Sequence, residues 1–106
     1  EAARSVGVRT VVYNTLRWNA RVAHLHPEWT VRHKDGSSSG QPAHPHSHIP
    51  YYQWNTLCLN SPYIEEYVLP STEEIMTQLK PSGMFMDITF ALPCYCESCQ
   101  AKAKAN

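Results

Sequence analysis

The sequence has 106 residues, 42% of them hydrophobic, and its nine Lys and Arg residues balance nine Asp and Glu residues. This length suits one small domain, and the zero net charge argues against a nucleic-acid-binding surface, which needs clustered basic residues. No apolar run approaches the roughly 20 residues of a membrane-spanning helix. Residues 1–12 also lack the basic start and apolar core of a signal peptide. We therefore expect neither a nucleic-acid nor a membrane partner.

The first predicted element is a strand at residues 6–13, where β-branched residues recur without a helical period, as in a buried strand. Residues 14–60 show no sustained periodicity, although they contain all three tryptophans and all six histidines. A loop of this length is uncommon in a compact domain unless it is functional. We expect short strand pieces, such as residues 29–32, to divide it.

A helix is predicted next. Ser61 and Pro62 are typical of a helix start, with Ser as the cap and Pro in the first turn, and apolar residues then recur at near-helical spacing as far as Leu79. Pro70 interrupts this pattern, which predicts a kink or two abutting helices, with Ser-Thr-Glu-Glu at residues 71–74 as a second capping box. Lys-Pro-Ser-Gly at residues 80–83 ends the helix.

Gly83–Asp87 is a short apolar run that ends on an acid, which predicts a parallel strand whose C-terminal end faces a site. Glu97–Ala105 is predicted to begin the next helix. Strands that alternate with helices favour parallel βα units. Two such units cannot cover both faces of a sheet, so we expect an internal slice of a larger α/β domain that is inactive alone. Both ends of the sequence resemble interrupted helices.

Four cysteines form the most specific motif. Cys94, Cys96 and Cys99 are predicted to lie on one turn leading into a helix, a spacing that suits a metal better than disulfides. Zinc takes four tetrahedral ligands, and Cys58 lies in a loop that parallel βα topology brings to the same face. We predict a structural four-cysteine zinc site. The alternatives are free buried thiols and a redox pair between Cys96 and Cys99. Unpaired thiols favour a cytoplasmic location.

Asp87 is the candidate catalytic residue. It directly follows Met-Phe-Met at the end of a predicted strand, and folds of parallel βα units place their working residues at the C-terminal ends of strands. A carboxylate after an apolar strand is costly to desolvate without a purpose or a partner. The alternative is an Asp that caps a helix, forms a salt bridge or orients a ligand.

The sequence resembles three known families of glycoside hydrolases. Residues 79–99, a strand ending in Phe-Met-Asp followed by Pro-Cys-Tyr-Cys-Glu-Ser-Cys, are similar to the family called hypothetical glycosyl hydrolase 6. His-Pro-Glu-Trp at 26–29, Cys-Leu-Asn-Ser-Pro-Tyr at 58–63 and the cysteine turn resemble the barrel segment of family 42 β-galactosidases that contains an all-cysteine zinc site. Residues 84–87 resemble α-L-fucosidases, whose nucleophile is an Asp ending the fourth barrel strand.

These resemblances imply that residues 1–106 are part of one glycoside hydrolase domain, about two βα units around strands 3 and 4 of a (β/α)8 TIM barrel. The implied substrate is an oligosaccharide or glycoside. Family 42 enzymes carry Asn-Glu after this strand, with Glu as acid/base, whereas this sequence has Asp87-Ile88 and no Glu before Glu97. This difference favours a fucosidase-like retaining enzyme with Asp87 as nucleophile over galactosidase chemistry. The alternative is a non-catalytic carbohydrate-binding or scaffolding barrel that keeps the zinc site.

Glycoside hydrolysis uses two carboxylates. Glu28 is a weaker candidate for the second, which we expect on a later strand outside this sequence. Indole rings can stack on sugars and amides can bond to hydroxyls, so the predicted substrate-binding residues are Asn14, Trp18, Trp29 and Asn60, with Arg32, Tyr52 and Trp54 as further candidates. Each of these is, taken alone, more often a packing or surface residue. His44, His46 and His48 are a metal-binding candidate, although flexible His-containing loops are commoner. The sequence leaves oligomerisation of the parent protein open.

Overall fold

The computed structural model describes residues 1–40 and 54–106. The first part contains helix α1 (Ala2–Ser5), strand β1 (Val11–Thr15), helix α2 (Ala20–Leu25) and a 3-10 turn at Pro27–Trp29. The second part contains a long helical segment in three consecutive stretches, then strand β2 and helix α4. The stretches are a π-helix at Ile64–Val68, helix α3 at Leu69–Glu74 and a π-helix at Ile75–Leu79; β2 spans Gly83–Asp87 and α4 spans Glu97–Ala105. None of the described helices is long and apolar enough to cross a membrane.

The two strands pair in parallel, with Val11 opposite Gly83 and Thr15 opposite Asp87. One further bond, from Leu16 N–H to the Asp87 carbonyl at 2.8 Å, extends the ladder past the end of both strands. Parallel neighbours need a long crossover connection, which here includes the helical segment. The mixed α/β architecture therefore confirms the predicted alternation of strands and helices, and β2 and α4 have the predicted bounds.

Strand β1 begins later than predicted. Gly7 has a φ of +78°, a left-handed conformation that glycine adopts without strain. The Gly7 and Val8 N–H groups donate to the carbonyls of Arg4 and Ala3 and so close the C-terminus of α1. This turn occupies the start of the predicted strand, and Val6 is 75% exposed. The predicted burial is also wrong within the described residues, because Val11 and Tyr13 are exposed.

Helix α2 lies in a region that the sequence predicts to be loop. Its cap is Asn19, whose side-chain oxygen accepts a hydrogen bond from Val22 N–H at 3.0 Å. Val22 and Ala23 are buried against the core, so tertiary packing stabilises this short helix.

The helical segment runs through Pro70, and the predicted second capping box is therefore wrong. Ser71 Oγ donates to the Val68 carbonyl within the helix instead of capping a new one. Just before Pro70, Leu69 N–H donates to the Ile64 carbonyl five residues earlier. This wider π-type turn accommodates a residue that has no N–H and crowds the preceding turn. The segment ends as predicted, at Lys80, which has a left-handed conformation.

The helical layer packs on one face of the sheet. A cluster of six buried residues lies there, and Leu16 and Met86 pack against it; the six are Val22, Ala23, Trp29, Leu57, Tyr63 and Val68. Side chains alternate between the two faces of a strand, so Tyr13 and Phe85 lie on the opposite face. Both are exposed, and no described residues cover that face.

Tyr63 connects the helical segment to the end of β1. Its ring is buried, and its hydroxyl donates to the Leu16 carbonyl at 2.9 Å. We expect Tyr63→Phe in the full-length protein to lower the free energy of unfolding by about 1 kcal/mol, because a partly buried carbonyl loses its partner. Tyr67→Phe is the matched control, since Tyr67 is exposed, and should change stability little. Urea denaturation checks both; equal effects would contradict the prediction.

Candidate metal centre and strand-end carboxylate

The sulfur atoms of Cys58, Cys94, Cys96 and Cys99 all lie within 4.8 Å of one another. The Cys58 and Cys99 sulfurs are 3.4 Å apart. A tetrahedral ion with metal–sulfur distances of ~2.3 Å needs sulfurs about 3.8 Å apart. The structure therefore brings the predicted ligands close enough together that all four could hold one ion. All four cysteines are free of disulfide bonds.

Two chain segments supply the cysteines of this cluster, and a third, at residues 29–32, holds both of them by backbone hydrogen bonds. Cys58 is fixed by its N–H, which donates to the Trp29 carbonyl at 2.8 Å. The cysteine turn is held against the neighbouring segment by Tyr95 N–H, which donates to the Arg32 carbonyl at 2.9 Å. Cys96 is the N-terminal cap residue of α4 and Cys99 lies in its first turn. Backbone hydrogen bonds to residues 29 and 32 thus position both cysteine-bearing segments.

The thiols differ in their electrostatic surroundings. Burial raises the pKa of Cys58 and of Cys96. Burial would also raise the pKa of Cys94, but the N–H groups of Cys96 and Arg32 donate to its sulfur at 3.5 Å and lower it overall. N–H donors stabilise a thiolate, and thiolates are the form that binds a metal. The donor set fits a soft divalent cation such as zinc.

Asn60 contacts this cluster and lines the cavity beside it. Its amide Nδ2 donates to Cys99 Sγ at 3.3 Å, and its Oδ1 accepts from Lys102 Nζ at 3.4 Å. Groups that bond to the ligands orient them and tune their basicity. These contacts favour a role in supporting the thiols over the predicted contact with a substrate.

Asp87 ends β2, and both of its carboxylate oxygens are hydrogen-bonded. Oδ2 accepts from the Tyr13 hydroxyl at 2.7 Å, and Oδ1 accepts from Ile88 N–H at 2.7 Å. The Tyr13 bond is the larger cause of a lowered Asp87 pKa, followed by the Ile88 bond. Asp87 is therefore an ionised carboxylate at neutral pH, in a fixed orientation.

The backbone directly after Asp87 is strained. Ile88 has a φ of +56°, a left-handed conformation that is rare for a β-branched residue. Such conformations persist where surrounding contacts enforce them and are concentrated at functional sites. The strain supports a functional interpretation of this strand end.

Two predicted substrate-binding residues lie away from Asp87. Asn14 is opposite Met86 and Asp87 is opposite Thr15, so the alternation of side chains places Asn14 on the other face of the sheet, towards the core. Trp29 is only 7% exposed, and its ring stacks on the His26 ring with the two ring centroids 3.8 Å apart. Both positions favour packing over substrate contact.

The position of Trp18 is compatible with the predicted contact with a substrate. It follows β1 by three residues, is half-buried, and meets Trp54 edge-on with ring centroids 4.6 Å apart. Trp54 is 52% exposed, so the pair offers aromatic surface to solvent. Exposed aromatic surface of this kind can stack on an apolar sugar face.

The remaining candidates contact neighbouring residues or lie outside the described residues. Glu28 is exposed and contacts His26 Nδ1 at 3.1 Å. The Arg32 guanidinium donates to the carbonyls of Pro27 and Gly36. His44, His46, His48 and Tyr52 lie outside the residues that the structure describes.

Sequence reasoning missed Tyr13 and Arg17. Tyr13 lies two residues before the end of β1, on the face that carries Asp87, and correct strand bounds would have shown it by alternation. Arg17 is buried beside the cysteine cluster, and no motif in the sequence indicates its burial.

Comparisons with known proteins bear on both sites. A family model described as hypothetical glycosyl hydrolase 6 matches residues 1–88, which include Cys58 and Asp87. The solved structure of α-L-fucosidase isoenzyme 2 from Paenibacillus thiaminolyticus is similar, with a TM-score of 0.74 and 27% identity. The match covers 98% of this chain and 15% of that chain, so this chain spans a small part of the fucosidase's length. No curated protein sequence matches this chain.

Removal of the Tyr13 hydroxyl should raise the pKa of Asp87. We expect this for Tyr13→Phe because the phenol stabilises the carboxylate and not the protonated acid. A group with a lowered folded-state pKa stabilises the protein above its unfolded pKa, and this contribution is lost as pH falls through the folded pKa. The variant should therefore be less stable than the wild type at neutral pH, and the difference should vanish in acid.

The measurement is an NMR titration of 13C-labelled aspartate, together with unfolding at several pH values. Tyr95→Phe is the control, because Tyr95 is also exposed. An unchanged Asp87 titration in the Tyr13→Phe variant would show that the hydrogen bond does not tune this carboxylate.

Proposed function

This chain belongs to the hypothetical glycosyl hydrolase 6 family, and we propose that it is part of a retaining glycoside hydrolase that acts on an oligosaccharide or glycoside. The observation that carries the proposal is the ionised, hydrogen-bonded Asp87 at the C-terminal end of a parallel strand. Such strand ends are where parallel α/β enzymes place their catalytic groups. The similarity to part of an α-L-fucosidase supports the same reaction class.

We further propose that residues 1–106 form about two βα units of a (β/α)8 barrel, around its third and fourth strands. The helical layer covers one face of the two-stranded sheet, in the same way that the outer ring of helices covers the outer face of the strands in such a barrel. The other face carries exposed Tyr13 and Phe85 next to Asp87. Neighbouring strands of a closed barrel would cover this apolar face and remove the open sheet edges.

In the proposed reaction Asp87 is the nucleophile. Its carboxylate attacks the anomeric carbon through an oxocarbenium-like transition state while the glycosidic bond breaks and the aglycone leaves, and water then hydrolyses the glycosyl-enzyme intermediate. The Tyr13 hydroxyl and Ile88 N–H hold the attacking group in place. A second carboxylate, about 5–5.5 Å away in retaining enzymes, acts as acid and then as base. We place it on a later strand, beyond Asn106.

The substrate preference that we propose is fucosidase-like. Asp87 is followed by Ile88 and not by the Glu that family 42 β-galactosidases use as acid/base. The similar solved structure is itself an α-L-fucosidase. Trp18, with Trp54 against it, is the residue that we assign to stacking on the sugar.

We also propose that the four-cysteine cluster holds a structural zinc ion. An all-thiolate set of four ligands is typical of closed structural sites, which keep no position for water or substrate. The segment between Asp87 and Cys94 is six residues long (residues 88–93), so zinc would hold the chain close to the carboxylate. Free thiols are maintained in reducing compartments, which favours a cytoplasmic protein.

Asp87→Asn in the full-length enzyme should lower kcat by several orders of magnitude, because the neutral amide cannot attack the anomeric centre. The melting temperature should change little, and azide should partly restore turnover by taking the place of the missing nucleophile. The assay compares aryl glycosides, beginning with the α-L-fucoside. Asp35→Asn is the matched control, since Asp35 is an exposed turn residue that bonds to Ser37.

Other results for the Asp87→Asn variant or for the wild type would contradict the proposal. Normal turnover in the Asp87→Asn variant would remove this residue from the mechanism, and loss of the fold would assign it a structural role. A folded wild-type protein that binds sugars but hydrolyses none would favour a non-catalytic carbohydrate-binding barrel.

The zinc proposal predicts one Zn²⁺ per chain with four sulfur neighbours at ~2.3 Å by X-ray absorption. Cys96→Ser should lose most of the bound zinc, because a closed site cannot replace a thiolate by a solvent ligand without weakening. Ser98→Ala lies in the same turn and should keep full occupancy. Nitrogen or oxygen in the first coordination shell would contradict the proposal.

A further inference from the structure

Arg17 is the only charged residue that is buried in the described part of the chain, at 3% exposure. Its Nε donates to the Leu57 carbonyl at 3.2 Å, and its Nη1 donates to the Phe90 carbonyl. Its Cζ lies 6.0 Å from the centre of the Phe90 ring. No carboxylate pairs with it among these residues, where the one ion pair joins His26 and Glu28. Residues 41–53 contain no Asp or Glu.

An unpaired buried charge is unfavourable unless something compensates it. Carbonyl oxygens and an aromatic face solvate a guanidinium in part, but they carry no full negative charge. The neighbours of Arg17 indicate which group could supply a compensating negative charge. Its side chain lines a cavity of about 240 Å³ together with Cys58, Cys94 and Cys99.

A metal-loaded cluster of four thiolates carries a net negative charge. Four thiolates and one divalent cation sum to a net charge of −2, whereas four protonated thiols carry none. Metal binding therefore places a dianion near a buried cation that has no ionic partner among the described residues.

We propose that Arg17 is the counter-cation of the metal-loaded cysteine cluster. The inference rests on the zinc site proposed above and adds a residue outside the ligand set. The same guanidinium binds the carbonyl before Cys58 and the Phe90 carbonyl in the segment after Asp87. Arg17 is thus a positioning residue that couples the charge of the cluster to the path of the chain behind Asp87.

The test uses the full-length protein with zinc as the probe. Zinc affinity is measured by competition with a chromophoric chelator, and thermal unfolding is followed with and without zinc. Arg17→Met removes the charge and should weaken zinc binding by about 10- to 100-fold, the range typical of residues that support metal ligands. The rise in melting temperature on zinc binding should shrink accordingly.

Two further variants separate charge from structure. Arg17→Lys keeps the charge and should bind zinc within a few-fold of the wild type, although a lysine cannot reproduce both carbonyl bonds. Arg9→Met removes an exposed positive charge and should leave zinc affinity unchanged. The Co²⁺ form of each protein reports by its absorption spectrum whether tetrahedral sulfur coordination is kept.

A folded Arg17→Met protein with wild-type zinc affinity would overturn this inference and leave the zinc site standing. If Arg17→Met fails to fold, Arg17→Lys decides, because an affinity loss of 10-fold or more with the charge retained would assign Arg17 to hydrogen bonding alone. A wild-type protein that binds no zinc would overturn both proposals.

Discussion

The parallel pairing of β1 with β2 is the constraint on which both candidate sites depend. It places Thr15 opposite Asp87, and the added bond from Leu16 to the Asp87 carbonyl keeps the two chains together past the strand ends. The segments that follow the strands must then leave the sheet at the same edge. One segment carries Arg17 and Trp18, and the other carries the residues that lead to Cys94.

Tertiary hydrogen bonds bring the remaining cysteine to this edge. Leu57 N–H donates to the Arg17 carbonyl, and Val31 N–H donates to the Thr56 carbonyl, both at 2.8 Å. These bonds form isolated bridges and no regular sheet. Residues 56 and 57, directly before Cys58, are thereby fixed outside any helix or regular strand, which explains why a segment lacking periodicity can still contribute to a defined site.

The elements that the sequence predicts correctly are those whose signals are local. β2 ends on an acid after an apolar run, and α4 follows directly from the cysteine turn. The cysteine cluster was predictable because ligand type and spacing are specific and parallel topology brings Cys58 to the same face. Each of these predictions depends on a few neighbouring residues or on a rule of connection.

The features that the sequence does not indicate depend on information that local patterns do not contain. One left-handed turn at Gly7 shifts the start of β1, and the face of Asn14 follows from the strand register and not from the type of residue. The burial of Trp29 depends on His26 and Tyr63, which pack against it from different segments. At Pro70 the local signal is strong but misleading. Proline predicts a break in the helix, yet a wider π-type turn lets the helical segment continue through it.

The two hydrogen bonds to Asp87 acquire their main importance once its face of the sheet is covered. In the described residues this carboxylate faces solvent, and hydrogen bonds alone lower its pKa. Strands that completed the proposed barrel would desolvate it, and desolvation raises the pKa of a carboxyl group. A neutral carboxylic acid is a poor nucleophile. Tyr13 and Ile88 belong to the same chain as Asp87, so this chain itself contains the groups that oppose this rise and keep the carboxylate charged, as the proposed reaction requires.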